Sequence, residues 1–319
     1  MNRRSRFTGR TPCVWMAALL LAACLAGCGR KEGTCRIALV VKSSQTEYWR
    51  LVERGATAFA EQEDIEFEML GPESEDQVQE QKNIFLECAG QYDAIVLAAS
   101  DYYLFEEPVE EAAIPVVLID SSVKGDTGAS LVATNNYDAG VELAREFIRR
   151  HGTEGKLKVI NSVESAASAM ERQRGFLEEM ERNSQIQVLE PEYCLSDVDK
   201  ACEIAERVLR EEPDVNMIAG LNAQSLLGAA EAVKNQGMGG AIFLGGVDCL
   251  AEEIDYIEED IIDVCILQNP YLIGYRGMET AWRILQGEKV EKQYWIDTYV
   301  IDQETAFERK NQELIFPFE

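Results

Sequence analysis

Residues 36–41 are Arg-Ile-Ala-Leu-Val-Val, and residues 48–62 are Tyr-Trp-Arg-Leu-Val-Glu-Arg-Gly-Ala-Thr-Ala-Phe-Ala-Glu-Gln. The first stretch is a short, near-continuous apolar run, the pattern of a parallel strand covered on both faces. In the second, Val52, Ala56, Phe59 and Ala60 recur at helical spacing, which predicts an amphipathic helix. The same alternation continues outward from this pair. Strands are predicted at Ile65–Leu70, Ala94–Ala98, Pro115–Ile119 and Leu131–Thr134, separated by helices at Asp76–Ala89 and Glu106–Ala113. In the second half, helices are predicted at Tyr137–His151, Ala167–Arg182, Val198–Glu211, Ser225–Gln236, Ala251–Glu258 and Pro270–Gln286. Strands are predicted between them at Lys156–Val163, Ile186–Tyr193, Val215–Gly220, Ala241–Leu244 and Ile262–Leu267. Such alternation is the signature of an α/β fold, here two doubly wound parallel-sheet lobes. A chain of 319 residues that is 46% hydrophobic can fill two cores. No low-complexity linker interrupts it, so the lobes are expected to abut.

Composition removes several functions. Thirty Lys and Arg stand against 57 Asp and Glu, a net charge of −27 that would repel nucleic acid. The single histidine, His151, excludes a multi-histidine zinc site, and neither a nucleophile elbow nor a Walker-type phosphate loop is present. Gly237-Met238-Gly239-Gly240 precedes a strand and is a turn. No metal, cofactor or catalytic residue is expected.

The N-terminus is an address. Arg3, Arg4, Arg6 and Arg10 precede an apolar run from Val14 to Leu25, too short to span a bilayer comfortably. It ends in Leu25-Ala26-Gly27-Cys28, which resembles the lipobox of bacterial lipoproteins. Residues 1–27 are therefore expected to be a signal peptide, Cys28 the lipidated residue, and residues 28–33 a tether. Losing four arginines and no acids moves the net charge from −27 to −31. Six cysteines then remain, Cys35, Cys88, Cys194, Cys202, Cys249 and Cys265. An even number outside the cytoplasm permits disulfides, but spacing gives no pairing.

In open α/β sheets, ligands bind beyond the carboxyl ends of the strands. The loops there hold Ser43–Trp49, Asp120–Ser122, Glu164–Met170, Asn222–Gln224, Asp248 and Gln268-Asn269-Pro270. Tyr48 and Trp49 offer aromatic faces. Asp120 and Asp248 are acceptors that can make charge-assisted bonds, and Asn222 and Gln268 carry donor and acceptor on one amide. Each has a structural alternative: core aromatics, a turn-capping Asp120, an N-cap at Asn222, a hinge brace at Gln268.

Several segments in this order resemble the periplasmic sugar-binding proteins of the ribose/galactose type, whose core is shared with the ligand domains of LacI-type repressors. They are 37–41 with Tyr48-Trp49, Ile114–Asp120, Thr134–Gly140, Gly245–Asp248 and Gln268–Tyr271. The resemblance implies the periplasmic binding protein type I fold, with a three-crossing hinge. The expected lobes are 34–135 with 268–290, and 136–267 with 291–319. It implies a ligand site made by Tyr48, Trp49, Asp120, Asn222, Asp248 and Gln268. Together with a lipid anchor at Cys28, it implies a monomer on the outer face of the cytoplasmic membrane that delivers a sugar or polyol to an ABC permease. A sensor signalling to a membrane histidine kinase is the alternative.

Three positions depart from the family. Its two sugar-binding arginines are Ser121 and Met170 here, and the asparagine that ends its third strand is Ala98. Asp101, Tyr102 and Tyr103 lie nearby as replacement contacts. Two aspartates without those arginines predict a neutral ligand first, a cationic one second, and disfavour phosphates and dicarboxylates.

Overall fold

The computed structural model describes residues 35–316. Cys28 and the signal segment lie outside them. Two sheets form the frame. The first contains β1 (Arg36–Val40), β2 (Glu66–Leu70), β3 (Ala94–Leu97), β4 (Val116–Ile119), β5 (Ser130–Thr134) and β12 (Gln293–Ile296). Its order is β12-β5-β4-β3-β1-β2, and every pairing is parallel. The second contains β6 (Lys156–Asn161), β7 (Gln187–Val188), β9 (Met217–Gly220), β10 (Phe243–Val247), β11 (Val264–Leu267) and β13 (Tyr299–Ile301). Its order is β13-β11-β10-β9-β6-β7, with β8 (Glu192–Tyr193) also on β6 and only β13 antiparallel. Strands β1, β3 and β4 are almost wholly buried, as near-continuous apolar runs require.

Helices cover both faces of each sheet. In the first lobe α1 (Glu47–Glu63) packs on α9 (Pro270–Leu285), with α2 (Val78–Ala89) and α3 (Glu106–Glu111) opposite. In the second, α4 (Asn136–Arg150) packs on α5 (Ala167–Asn183) and α6 (Val198–Glu211) on α7 (Ala223–Asn235). The helices α8 (Ala251–Glu258) and α10 (Arg309–Ile315) complete it. The α1–α9 crossing is backbone on backbone. A Cβ at Gly55 would lie 1.9 Å from the Tyr271 carbonyl oxygen, and one at Gly274 1.9 Å from that of Val52. Only glycine permits that approach.

The chain passes between the sheets three times: from β5 to α4, from β11 to α9, and from β12 to β13. The last passage corrects the expected boundary at 290/291. Gln293–Ile296 pairs in register with Leu131–Thr134 of the first sheet, so the chain leaves that lobe after Ile296. The predicted strand Ile186–Tyr193 is two short pieces, broken around Pro191, which has no N–H to donate. Cys88, Cys194, Cys202, Cys249 and Cys265 are free thiols. No helix among the described residues is long and apolar enough to cross a membrane.

Candidate functional site

Strands β4 and β10 hold equivalent places in the two sheets, and each ends in an aspartate. Asp120 donates its N–H to Val132 of β5 (3.0 Å), and Asp248 donates to Ile266 of β11 (2.9 Å). Both then turn into the left-handed region, with φ of 60° and 75°. Aspartate tolerates that conformation better than most residues, at a cost of about 1–3 kcal/mol. The turn breaks the strand and leaves each carboxylate, 5% exposed, at the carboxyl edge of its sheet. There the two lobes face each other.

Between them lies a narrow cavity of ≈ 40 Å³. Tyr48, Trp49, Asp120, Asn222, Asp248 and Gln268, the six positions marked in the sequence, all line it. Tyr48 and Trp49 occupy the first turn of α1, ring centroids 5.0 Å apart at 83°. Tyr48 Oη donates to Asp120 Oδ1 at 3.2 Å. Gln268, 1% exposed, donates Nε2 to Asp248 Oδ1 at 2.8 Å, while its own Oε1 is buried with no partner. Asn222 is both an N-cap and a lining residue. Its side-chain Oδ1 accepts from Ser225 N–H (3.1 Å), and its side-chain Nδ2 donates to Ser196 and Gln224.

Two cations at this site were not among those marked. Lys42 follows β1 and is 3% exposed. Its ammonium donates to Asp120 Oδ2 (2.6 Å), Ser121 Oγ (2.7 Å) and Ser168 Oγ (2.9 Å), so all three protons are used. Ser168 belongs to α5, so this bond joins the lobes. Arg172, also on α5 and 4% exposed, donates to Asn136 Oδ1 and to the Leu221 carbonyl. The expectation of a site without compensating cations is thereby corrected. Ser121 does replace an arginine, but its hydroxyl serves the lysine. Lys42 was legible as an ionisable residue closing an apolar strand, one position before the loop that begins at Ser43. Arg172 falls on the helical stripe of Ala169 and Phe176, a face that should be apolar.

The other proposed replacements lie elsewhere. Asp101 caps the N–H groups of Tyr103 and Leu104, while Tyr102 and Met170 line a different cavity. The Ala98 carbonyl accepts from the buried Gln81 amide (2.8 Å).

The electrostatics of the two aspartates diverge. Burial works to raise both carboxyls. At Asp120 the Lys42 charge and hydrogen bond, with Arg172 and Ser121, reverse this and hold the group below the usual carboxylate range. At Asp248 desolvation prevails over Arg172 and the Gln268 bond, and the carboxyl is raised. Among the described residues no cluster of His, Cys, Asp or Glu is placed to hold a metal.

The α/β architecture with its parallel-sheet lobes has counterparts among known proteins. Residues 37–289 match the family described as periplasmic binding protein domain. The chain belongs to the periplasmic binding protein domain family. The ribose import binding protein of Bacillus subtilis is 30% identical over 204 residues, which cover 63% of this chain and 65% of that protein. The D-allose-binding periplasmic protein of Escherichia coli is 24% identical over 284 residues, 83% and 91% of the two chains. Among solved structures, an ABC transporter solute-binding protein of Agrobacterium vitis with bound D-fucose has a TM-score of 0.86 and 29% identity. It covers 88% of this chain, and all of that one is matched.

Further contacts join the two lobes. Besides Ser168, Ser196 donates to Glu75 Oε2 (2.8 Å), and Glu75 Oε1 accepts from Trp49 Nε1 (3.2 Å). The Tyr102 N–H donates to the Ser165 carbonyl (2.8 Å). Ala223 and Leu250 of the second lobe pack into the first lobe's cluster with Tyr48 and Leu51. The lobes are closed against each other, and a cleft of ≈ 40 Å³ must open to admit a ligand of ordinary size.

Proposed function

We propose that this protein is a lipid-anchored extracytoplasmic receptor that captures a neutral sugar or polyol in the Asp120–Asp248 cleft and delivers it to an ABC transporter. The carrying observation is the unpartnered, buried Oε1 of Gln268 beside Asp248. A buried acceptor without a partner is costly, so the ligand that belongs there brings hydrogen-bond donors. Lys42 has no proton left to offer an anion, and Arg172 is turned to Asn136 and Leu221. The cleft therefore favours hydroxyl donors although it contains two cations. The names of the relatives, which import ribose and bind D-allose, support the same class.

A thermal-shift screen of neutral monosaccharides and polyols against sugar phosphates and dicarboxylates tests this. A neutral binder at about 100 times its Kd adds about 2.7 kcal/mol of stability. A sugar phosphate or dicarboxylate as the tight binder overturns the reading. Asp248→Asn removes the charge but keeps a residue suited to positive φ. It is expected to weaken the neutral ligand by about 1.5–3 kcal/mol, roughly ten- to a hundredfold in Kd, while the ligand-free Tm barely moves.

Anchoring has a separate test. Cys28→Ala should accumulate as unprocessed precursor and incorporate no labelled lipid. Normal processing and labelling of that variant would exclude Cys28 as the anchor. Two acyl chains suffice for stable attachment despite the acidic body.

A further inference from the structure

Glu75 lines the cleft from the loop between β2 and α2, and it bonds to both lobes. Within its own lobe, Oε1 accepts the indole N–H of Trp49 (3.2 Å). Across the cleft, Oε2 accepts the Ser196 hydroxyl (2.8 Å). The Ser196 oxygen in turn accepts from Asn222 Nδ2 (3.2 Å). Chemistry fixes these directions: the amide nitrogen and the indole donate, the hydroxyl accepts one bond and donates another, and the carboxylate takes a donor on each oxygen. One chain of bonds thus runs from Asn222 of the second lobe to Trp49 of the first.

Both ends of the cross-lobe bond are built into the backbone. The loop carrying Glu75 is stitched to the loop after β1. Ser43 Oγ donates to the Glu73 carbonyl (2.8 Å), and the Ser44 N–H donates to that of Pro72 (2.8 Å). Opposite it, Leu195 and Ser196 have φ of 58° and 56°, and the Asp197 N–H closes the turn on the Cys194 carbonyl (3.1 Å). Two successive positive φ values are the type I′ pattern, whose central positions favour Gly, Asn and Asp. Leucine and serine are strained there. Such strain persists only where its surroundings hold it, and it gathers at ligand clamps. Here it presents the Ser196 hydroxyl to Glu75. The Trp49 ring, 2% exposed, is edge-on to Tyr48, and with its N–H bound it cannot rotate without losing a bond to the carboxylate.

We propose that Glu75 is a positioning residue and the closing latch of the cleft. It orients the Trp49 ring and engages Ser196 only when the lobes meet, so closure and the setting of the aromatic wall are one event. This role rests on the reading of the cleft as the ligand site. The Ser196 bond belongs to the closed lobes alone, so it favours that state without touching a ligand.

The test needs no ligand. The purified full chain is labelled with 5-fluorotryptophan, and Trp15→Phe, Trp282→Phe and Trp295→Phe assign three ¹⁹F resonances and leave the fourth to Trp49. A neutral gadolinium chelate then relaxes each ring according to its access to solvent. Ser196→Gly removes the hydroxyl and suits the positive φ. It should move the Trp49 resonance by more than its linewidth and raise its gadolinium relaxation at least about fivefold, the population change that one lost hydrogen bond produces. Trp295, already 50% exposed, should not change. Glu75→Ala should have the same effects, and in that background Ser196→Gly should add nothing. The urea midpoint of Ser196→Gly should stay at the wild-type value, because relief of the turn offsets the lost bond. An unmoved Trp49 resonance or relaxation in either variant overturns the proposal. So do effects that add in the double variant, or a midpoint that falls in step with the relaxation, which would make Ser196 a stabiliser of the fold. Failure of the sugar screen would leave these ligand-free readings as they are, so the two are judged apart.

Discussion

Replacing Lys42 by methionine should lower the free energy of unfolding by about 3–5 kcal/mol and abolish ligand binding in the cleft. Lys42 and Asp120 are both almost fully buried and meet at 2.6 Å. Removing the ammonium leaves a buried carboxylate with two hydroxyl neighbours and the Tyr48 phenol but no cation bonded to it, only the field of Arg172. Urea unfolding reads the loss as a lower midpoint at unchanged slope. The double variant Lys42→Met/Asp120→Asn should recover most of that stability, because asparagine is neutral and tolerates the left-handed backbone. It should not recover binding. A double variant as unstable as the single one would show that Lys42 contributes packing rather than charge.

The pH dependence follows the same pair. Asp120 has a folded pKa below its unfolded value, so its contribution is present above the ordinary carboxylate pKa. It is lost as pH falls through the lower folded value. Without Lys42 that acid limb should shift to higher pH.

Glu253→Gln should leave stability at pH 5 nearly unchanged and raise it at pH 8 by a few kcal/mol, by the rule of about 1.36 kcal/mol per pKa unit. Glu253, 1% exposed in the first turn of α8, accepts the Leu250 N–H at 3.1 Å. Desolvation, aided by the Asp248 and Glu47 charges and resisted by backbone hydrogen bonds, raises its pKa from 4.5 to about 8. Between those values the native chain holds a proton that the unfolded chain has released, so stability falls as pH rises. Glutamine keeps an acceptor for Leu250 and removes the titration. Asp248, also raised, leaves a smaller slope of the same sign in the variant. Chemical denaturation from pH 5 to 8 measures this, and parallel wild-type and variant profiles would refute the assignment.

Much of this architecture is local in origin. The apolar runs 37–41, 94–98 and 115–119 are strands wherever they pack, since only a sheet covered on both sides accommodates them. Asp120 and Asp248 ended such runs, and the ends of parallel strands meet at the crevice, so both could be named from the sequence. Strand β12 could not. Its Gln293, Tyr294 and Trp295 are only partly covered, as befits an edge strand, and only its pairing with β5 makes it part of the first lobe.

The sequence by itself determined most of the elements and the residues that end them, and with one histidine it ruled out a multi-histidine metal site. Tertiary structure alone decided the charge balance of the cleft. Lys42 reaches Asp120 across 78 residues and Ser168 across 126, and Arg172 reaches Leu221 across 49. Backbone propensity and apolar periodicity act over a few neighbouring residues. Whether a buried charge is matched depends on which loops the two sheets bring together, and that is settled only when the lobes pack.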